Sequence, residues 1–223
     1  KHGFTSNISY GTQERNYDQT TWKSNGAISS AIKYSWRKGH NTNINVQKVF
    51  DVNGNDKFLL GASFKREDLD VYNSPTKKMG STPAKPERSG AYNRDIYSLY
   101  TSYDWQMTDA DKLIINLRET FVRNAKGDNT DMSTGVTTKT VQVNQSKFTP
   151  EIQYIRDLTD SSSFYAKAGK SYRLPELTKI FGGSVILPSM DLKPEHGVHY
   201  EMGYKLNEGN RSWRLAVFDY DVK

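Results

Sequence analysis

Any metal or acid–base chemistry in this 223-residue chain would centre on four histidines, because it contains no cysteine. His196 and His199 stand three apart in a stretch of alternating polarity, so on a strand they point to opposite faces and cannot chelate one ion together. His2 and His40 read as turn or solvent residues. There is no Gly-x-Ser-x-Gly element, no phosphate-cradling glycine loop and no histidine pair at helical spacing. No catalytic or metal constellation emerges. Recognition chemistry does: residues 70–94 bring together Tyr72, Lys77, Lys78, Arg88, Tyr92 and Arg94, and Tyr172 with Arg173 forms a second aromatic–cation pair. Cations beside amphipathic rings bind anionic or aromatic ligands through charge attraction, stacking and cation–π contact. The same basic residues suit a phosphate-bearing surface equally well.

Elements must hold these side chains, and composition restricts which. Hydrophobic residues make up only 35% of the chain and mean hydropathy is −0.79, yet aromatics reach 12%, with 14 Tyr. No apolar run approaches the roughly 20 residues of a membrane helix. Membrane strands need only about 9–11 residues of alternating polarity and remain open to this composition. The net charge of +6 and pI near 9.2 invite a nucleic-acid partner. The charges are interspersed, however, and the densest basic cluster (Lys77, Lys78, Lys85, Arg88) lies in a Pro/Gly-rich stretch, which argues against one. Residues 1–6 do not form a signal peptide, so an export signal is expected outside this segment.

Alternation recurs along the chain, the mark of half-buried strands. Ile44, Val46, Phe50 and Val52 share one face; so do Phe58, Leu60, Ala62 and Phe64. Further sets are Tyr97, Leu99, Tyr103, Trp105 and Met107; Leu113, Ile115, Leu117 and Phe121; Phe148, Ile152 and Tyr154; Phe164, Ala166, Ala168 and Tyr172; and Val198, Tyr200, Met202, Tyr204 and Leu206. Charged residues such as Arg118, Glu151, Lys167 and Glu201 fall on the opposite face, as salt-linked wall residues. Turn compositions occur at 53–56, 108–111, 159–162 and 207–210. Counted from Gly54 through Asp109 and Asp160 to Glu208, they recur at steps of 55, 51 and 48 residues. Long connections, roughly 70–90, 125–146 and 173–194, alternate with them. One tidy end and one elaborated end fit an outer-membrane barrel better than a sandwich. A soluble β-rich carbohydrate binder is the alternative. Residues 12–41 break the scheme: a reversal at 38–41 would put a long connection on the short-turn side.

Four elements then appear in order. Tyr172-Arg173-Leu174-Pro175 closes a strand; Ser189-Met190-Asp191-Leu192-Lys193-Pro194-Glu195 opens the next. Tyr200-Glu201-Met202-Gly203-Tyr204-Lys205 continues it, and Phe218-Asp219-Tyr220-Asp221 follows the next turn. This order resembles the mid-barrel signature of TonB-dependent outer-membrane receptors, with Leu174 for the usual Ala and an altered first half in the second motif. Pro175 lacks a donor and belongs where pairing stops; Pro194 starts a strand. The resemblance implies an all-β, antiparallel transmembrane β-barrel, partial here at about 10 of about 22 strands, with short periplasmic turns and long extracellular loops. It implies that residues 1–223 are part of a single barrel domain, with the plug domain and TonB-contacting segment elsewhere. It implies residence in the outer membrane of a diderm bacterium, no enzymatic reaction, no cofactor, and import of a scarce nutrient, most often a ferric siderophore, with TonB, outer-membrane lipid and lipopolysaccharide as partners. The cations and rings of residues 70–94 suit a ferric catecholate or hydroxamate. Haem-uptake members typically carry a His between the two signature motifs; here that loop has none, which disfavours haem. A passive porin or an adhesin barrel is the alternative reading.

Overall fold

Each short turn is tied by its own side chains. In the first, Asn53 Oδ1 accepts the backbone N–H of Asp56 (2.9 Å), and Asn53 Nδ2 donates to Asp56 Oδ2 (2.9 Å). In the second, Thr108 Oγ1 accepts the N–H of Asp111 (3.0 Å) and donates to its carboxylate (2.7 Å). Such self-bonding Asn, Asp and Thr residues reverse the chain without help from a core. In this computed structural model, which describes residues 3–74, 87–132, 134–182, 189 and 191–223, the turns join a ten-stranded antiparallel meander. The strands are β1 (Phe4–Trp22), β2 (Ile28–Asp51), β3 (Lys57–Asn73), β4 (Glu87–Gln106), β5 (Asp111–Thr130), β6 (Thr137–Val141), β7 (Gln145–Thr159), β8 (Ser162–Arg173), β9 (Glu195–Glu208) and β10 (Arg211–Val222), with one short helix, α1 (Leu177–Phe181), between β8 and β9. The sheet runs β1-β2-β3-β4-β5-β7-β8-β9-β10 and is not closed within this chain; β6 pairs with β5.

Register places every expected apolar set on one face. Ile8, Ile44, Phe64, Tyr97 and Phe121 stand in one cross-strand row. Phe50, Phe58, Tyr103, Ile115, Ile152, Ala168 and Tyr200 form another. The row directly beyond Ile44–Phe64–Tyr97–Phe121 is Thr42, Arg66, Asp95 and Arg123, so the apolar band ends abruptly. From Trp105 to Tyr97 the band covers about 27 Å of strand. At a tilt near 45° that is about 20 Å of height, close to the about 25 Å of a membrane barrel. No helix among the described residues is long and apolar enough to cross a membrane.

Three departures from expectation stand out. Residues 28–51 are one uninterrupted strand, and the chain reverses at 23–27 instead, where Lys23 N donates to Ala27 O (2.8 Å); residues 38–41 are no turn. This puts the β1–β2 connection on the long-loop side and removes the conflict. The expected loop at 125–146 is largely paired, because β5 runs on to Thr130 and the β-branched run Thr137–Val141 forms β6 against it. Within β5, Asn124 adopts φ 53°, a left-handed conformation Asn tolerates. The bulge it makes, with its Nδ2 bonded to Asp95 (2.9 Å), inverts the alternation beyond it, so that Ala125 and Gly127 follow Thr120 and Val122 on the polar face.

Candidate functional site

The polar face is a wall of aromatic and charged side chains spanning several strands. Tyr100 of β4 lies across Gly61 of β3, where any Cβ would stand 2.3 Å from its ring. Its hydroxyl donates to Asn45 Oδ1 (2.7 Å) and reaches Gln47 Oε1 (3.1 Å) on β2, and the Arg118 guanidinium covers the ring at 4.8 Å. Tyr165 repeats the device over Gly203. Its hydroxyl donates to Glu201 (2.6 Å), which also receives Lys167 (2.9 Å) and Arg214 (2.5 Å); Arg214 and Lys205 sit 5.4 and 5.1 Å from the ring centre. The Tyr-Glu-x-Gly strand thus has a mechanical sense: Glu201 is the ionic hub, and Gly203 leaves room for the tyrosine that reaches it.

At the long-loop end α1 packs onto this same face. Leu177, Ile180 and Phe181 close over Val71, Tyr92 and Ala125; Ile180 and Phe181 are 0% and 2% exposed, and the Tyr92 and Phe181 rings stack at 5.6 Å. Arg94, 7% exposed, clamps the approach to the helix: Nη1 donates to the Pro175 carbonyl (2.7 Å) and Nε pairs with Glu67 Oε2 (2.5 Å). Burial alone would raise the Glu67 carboxyl, but Arg94 and Lys65 more than offset it and hold it below the ordinary range. Burial pushes the Tyr92 phenol up to about 12. Two cavities open beside the clamp. One, about 310 Å³, is bordered by Arg15, Arg37, Asn41, Glu67, Arg94 and Glu176. The other, about 500 Å³, is bordered by Asn43, Asn45, Lys65, Ser98, Arg118 and Leu174, and Tyr172 touches it.

The expected ligand residues are thereby separated. Tyr92 is core, and Arg94 is a largely buried strut that also borders both cavities. Tyr72 lies on the other face by simple alternation, and a bulge at Ser89 puts Arg88 there beside it; Arg88 pairs with Asp70 (2.5 Å), and Lys38 Nζ approaches the Tyr72 ring at 5.8 Å. Lys77 and Lys78 fall outside the described residues. Arg173 is exposed and pairs in register with Glu195 at the end of β8. Among signature residues, Pro194 is buried, Lys193 is exposed, the Leu192 carbonyl accepts from Gln142 (3.3 Å), and Tyr200 is 56% exposed on the apolar face. Lys65 and Asn45 were not singled out, although strand alternation alone assigns them to the polar face; Arg15 and Arg37 fall in the stretch 12–41, where the expected reversal hid the strand pattern. No group of three or more His, Asp or Glu among the described residues could hold a metal ion.

A wall of this kind, apolar on one face and polar on the other, with tied turns at one end and long connections at the other, belongs to a membrane barrel. The chain is a member of the TonB dependent receptor-like, beta-barrel family, whose model matches residues 2–223. The same architecture occurs in the siderophore receptor PiuA from Acinetobacter baumannii (TM-score 0.74, 15% identity, 96% of this chain and 37% of that one). It occurs also in the ferric-catecholate import receptor Fiu from K12 E. coli (TM-score 0.72, 15% identity, 98% and 38%). In sequence, 83 residues are 34% identical to the hemophilin receptor of Acinetobacter baumannii, covering 37% of this chain and 8% of that protein. The chain therefore spans little more than a third of the solved receptors it resembles. The family is one of receptors and transporters of the outer membrane.

Proposed function

We propose that this chain forms the middle of the wall of an outer-membrane receptor that binds and imports a scarce nutrient, with a ferric siderophore as cargo and TonB acting through segments beyond residues 1–223. The observation that carries this reading is the polar wall at the long-loop end, in a chain of this family. There Arg118, Lys65 and Arg15 border open cavities beside a helix anchored to the wall. Ferric siderophores are commonly anionic and carry planar chelating groups. Guanidinium and ammonium groups with limited hydration attract such a solute and hold it by paired hydrogen bonds and stacking. The short turns lie in the periplasm, and the long connections face outward. Transport makes and breaks no covalent bond, so the wall acts by binding and orienting. Beyond the apolar band on the lipid-facing side, Lys38, Tyr72 and Arg88 stand at the level of lipopolysaccharide phosphates.

Binding of a panel of ferric siderophores to the full receptor, together with growth of a deletion strain on each as sole iron source, tests the proposal. Loss of growth on one siderophore, restored by the receptor and lowered at least tenfold in affinity by Arg118→Glu, is expected. Ion conductance in planar bilayers without any siderophore binding would instead identify a passive porin, and unimpaired nutrient uptake with lost cell attachment an adhesin. Haem as the sole rescued iron source would overturn the siderophore assignment while leaving the receptor reading intact.

A further inference from the structure

The polar face has a niche where β2 carries Gly39 in place of a side chain. Its floor is one register row, Gln13, Gly39 and Leu69. The next row toward the long loops is Arg15, Arg37 and Val71; the next row the other way holds Asn41, Glu67 and Arg94. Arg37 to Asn41 covers about 13 Å of strand. A Cβ at position 39 would meet nothing nearer than the Gln13 and Asp68 carbonyls, at 3.8 and 3.9 Å, so the backbone lies open to a solute. The start of α1 (Glu176, Leu177, Thr178) borders a third side. The space so enclosed is the cavity of about 310 Å³ beside the Arg94 clamp.

Arg15 and Arg37 stand directly opposite each other on this face. Like charges so placed destabilise a sheet, and an anion between them removes that cost. Gln13, with its amide oxygen turned to Arg15, accepts from Nε (3.1 Å) and Nη2 (2.9 Å), which holds the guanidinium at the edge of the niche. Asp68 pairs with Arg66 on the other face and offers the niche its carbonyl alone. Three guanidiniums therefore meet two carboxylates, Glu67 and Glu176, and Glu67 is already held by Arg94 and Lys65. No aromatic ring of the described residues borders the niche, so an aromatic ligand finds no ring to stack on. Planar forks of N–H donors above a bare backbone suit a carboxylate, which they bind through paired hydrogen bonds. The cavity is at the low end of ligand pockets, roughly 300–1,000 Å³; it admits one arm of a chelate rather than three aromatic rings.

We infer, resting on the receptor reading above, that the Gly39 niche selects the cargo, and that this cargo is a ferric chelate bearing a carboxylate, held by Arg15 and Arg37. The subsite lies on the strands β1 and β2, away from the cations and rings of residues 70–94. The full receptor in micelles is titrated with ferric citrate, with ferric enterobactin (three catecholates, no carboxylate) and with ferrioxamine B (three hydroxamates, no carboxylate), and quenching of tryptophan fluorescence is read. Wild type is expected to bind ferric citrate about tenfold or more tighter than the other two. Arg15→Gln, an exposed side chain, and Gly39→Leu, which fills the floor without meeting backbone, should each lower that affinity about tenfold. Arg15→Lys should fall between, and Glu176→Gln should raise it. Unchanged ferric citrate binding in Arg15→Gln overturns the inference even if Gly39→Leu fails to fold. Preference for ferric enterobactin or ferrioxamine B, indifferent to both variants, overturns it while leaving the receptor reading intact. Binding of none of the three overturns it as well, and the growth panel then decides the receptor reading.

Discussion

Replacing Gly61 with Ala should destabilise the barrel in one background and not in another. A Cβ at position 61 stands 2.3–2.5 Å from Cζ, Cε2 and Oη of Tyr100, and no other atom is nearer, so the ring must swing away. It then gives up its bonds to Asn45 and Gln47 and its contact with Arg118. Two neutral hydrogen bonds contribute about 0.5–1.5 kcal/mol each, and an exposed cation–π contact about 0.5–1 kcal/mol. Against that, Ala in a strand regains about 0.5–1 kcal/mol of the entropy Gly loses on folding. The net loss is about 1–3 kcal/mol. In a Tyr100→Ala background the space is empty, and Gly61→Ala becomes neutral or stabilising by up to about 1 kcal/mol. Urea unfolding of the full receptor in micelles, followed by tryptophan fluorescence, reads all four corners of the cycle. An equal cost in both backgrounds would show that Gly61 is required for its backbone and not for the ring that crosses it.

Three further outcomes follow from the clamp and the turns. Arg94→Ala leaves Glu67 to Lys65 alone and the Pro175 carbonyl without its donor, and should cost about 1–3 kcal/mol, with faster hydrogen exchange over residues 174–182; Arg94→Lys, able to keep the ion pair but not both contacts, should fall between. Phe181→Ala should remove about 3–5 kcal/mol of local stability, freeing α1 to exchange and proteolysis while the heat-resistant barrel band on gels persists. The Asp56 carboxyl is held below its ordinary value near 3.8 by the Gln106 N–H, followed by the Tyr103 hydroxyl and Asn53. On acidification the unfolded chain therefore takes up this proton first. Stability is complete above about pH 4 and declines below it toward the lower folded value, and Asp56→Asn should flatten that part of the curve. An unchanged acid limb would refute the role of the turn.

Strand identity and facing were legible because alternation is a local property: one residue of Phe58–Phe64 or Phe164–Ala168 predicts where the next one points. Turn positions were legible because Asn53, Asp56, Thr108 and Asp111 complete their bonds within four residues. Glu201 was legible as a salt-linked wall residue, since its alternation partners are apolar. The inward packing of α1 was not, because Leu177, Ile180 and Phe181 meet Val71, Tyr92 and Ala125 across about 50 to 110 residues of chain, and nothing local announces the meeting. The stacking of Tyr92 on Phe181 and the bond from Arg94 to the Pro175 carbonyl were hidden for the same reason. Asn124 was equally silent, since an Asn in a strand gives no sign whether it sits in the pleat or makes a bulge.

The strands outlast the band they carry. β2 runs sixteen residues past Ile44, from Asn43 to Ile28, about 35–40 Å of height at barrel tilt. With the long connections facing outward, as proposed above, the mouth stands well clear of the bilayer. A solute arriving from the medium meets a stiff, hydrogen-bonded rim before it reaches lipid.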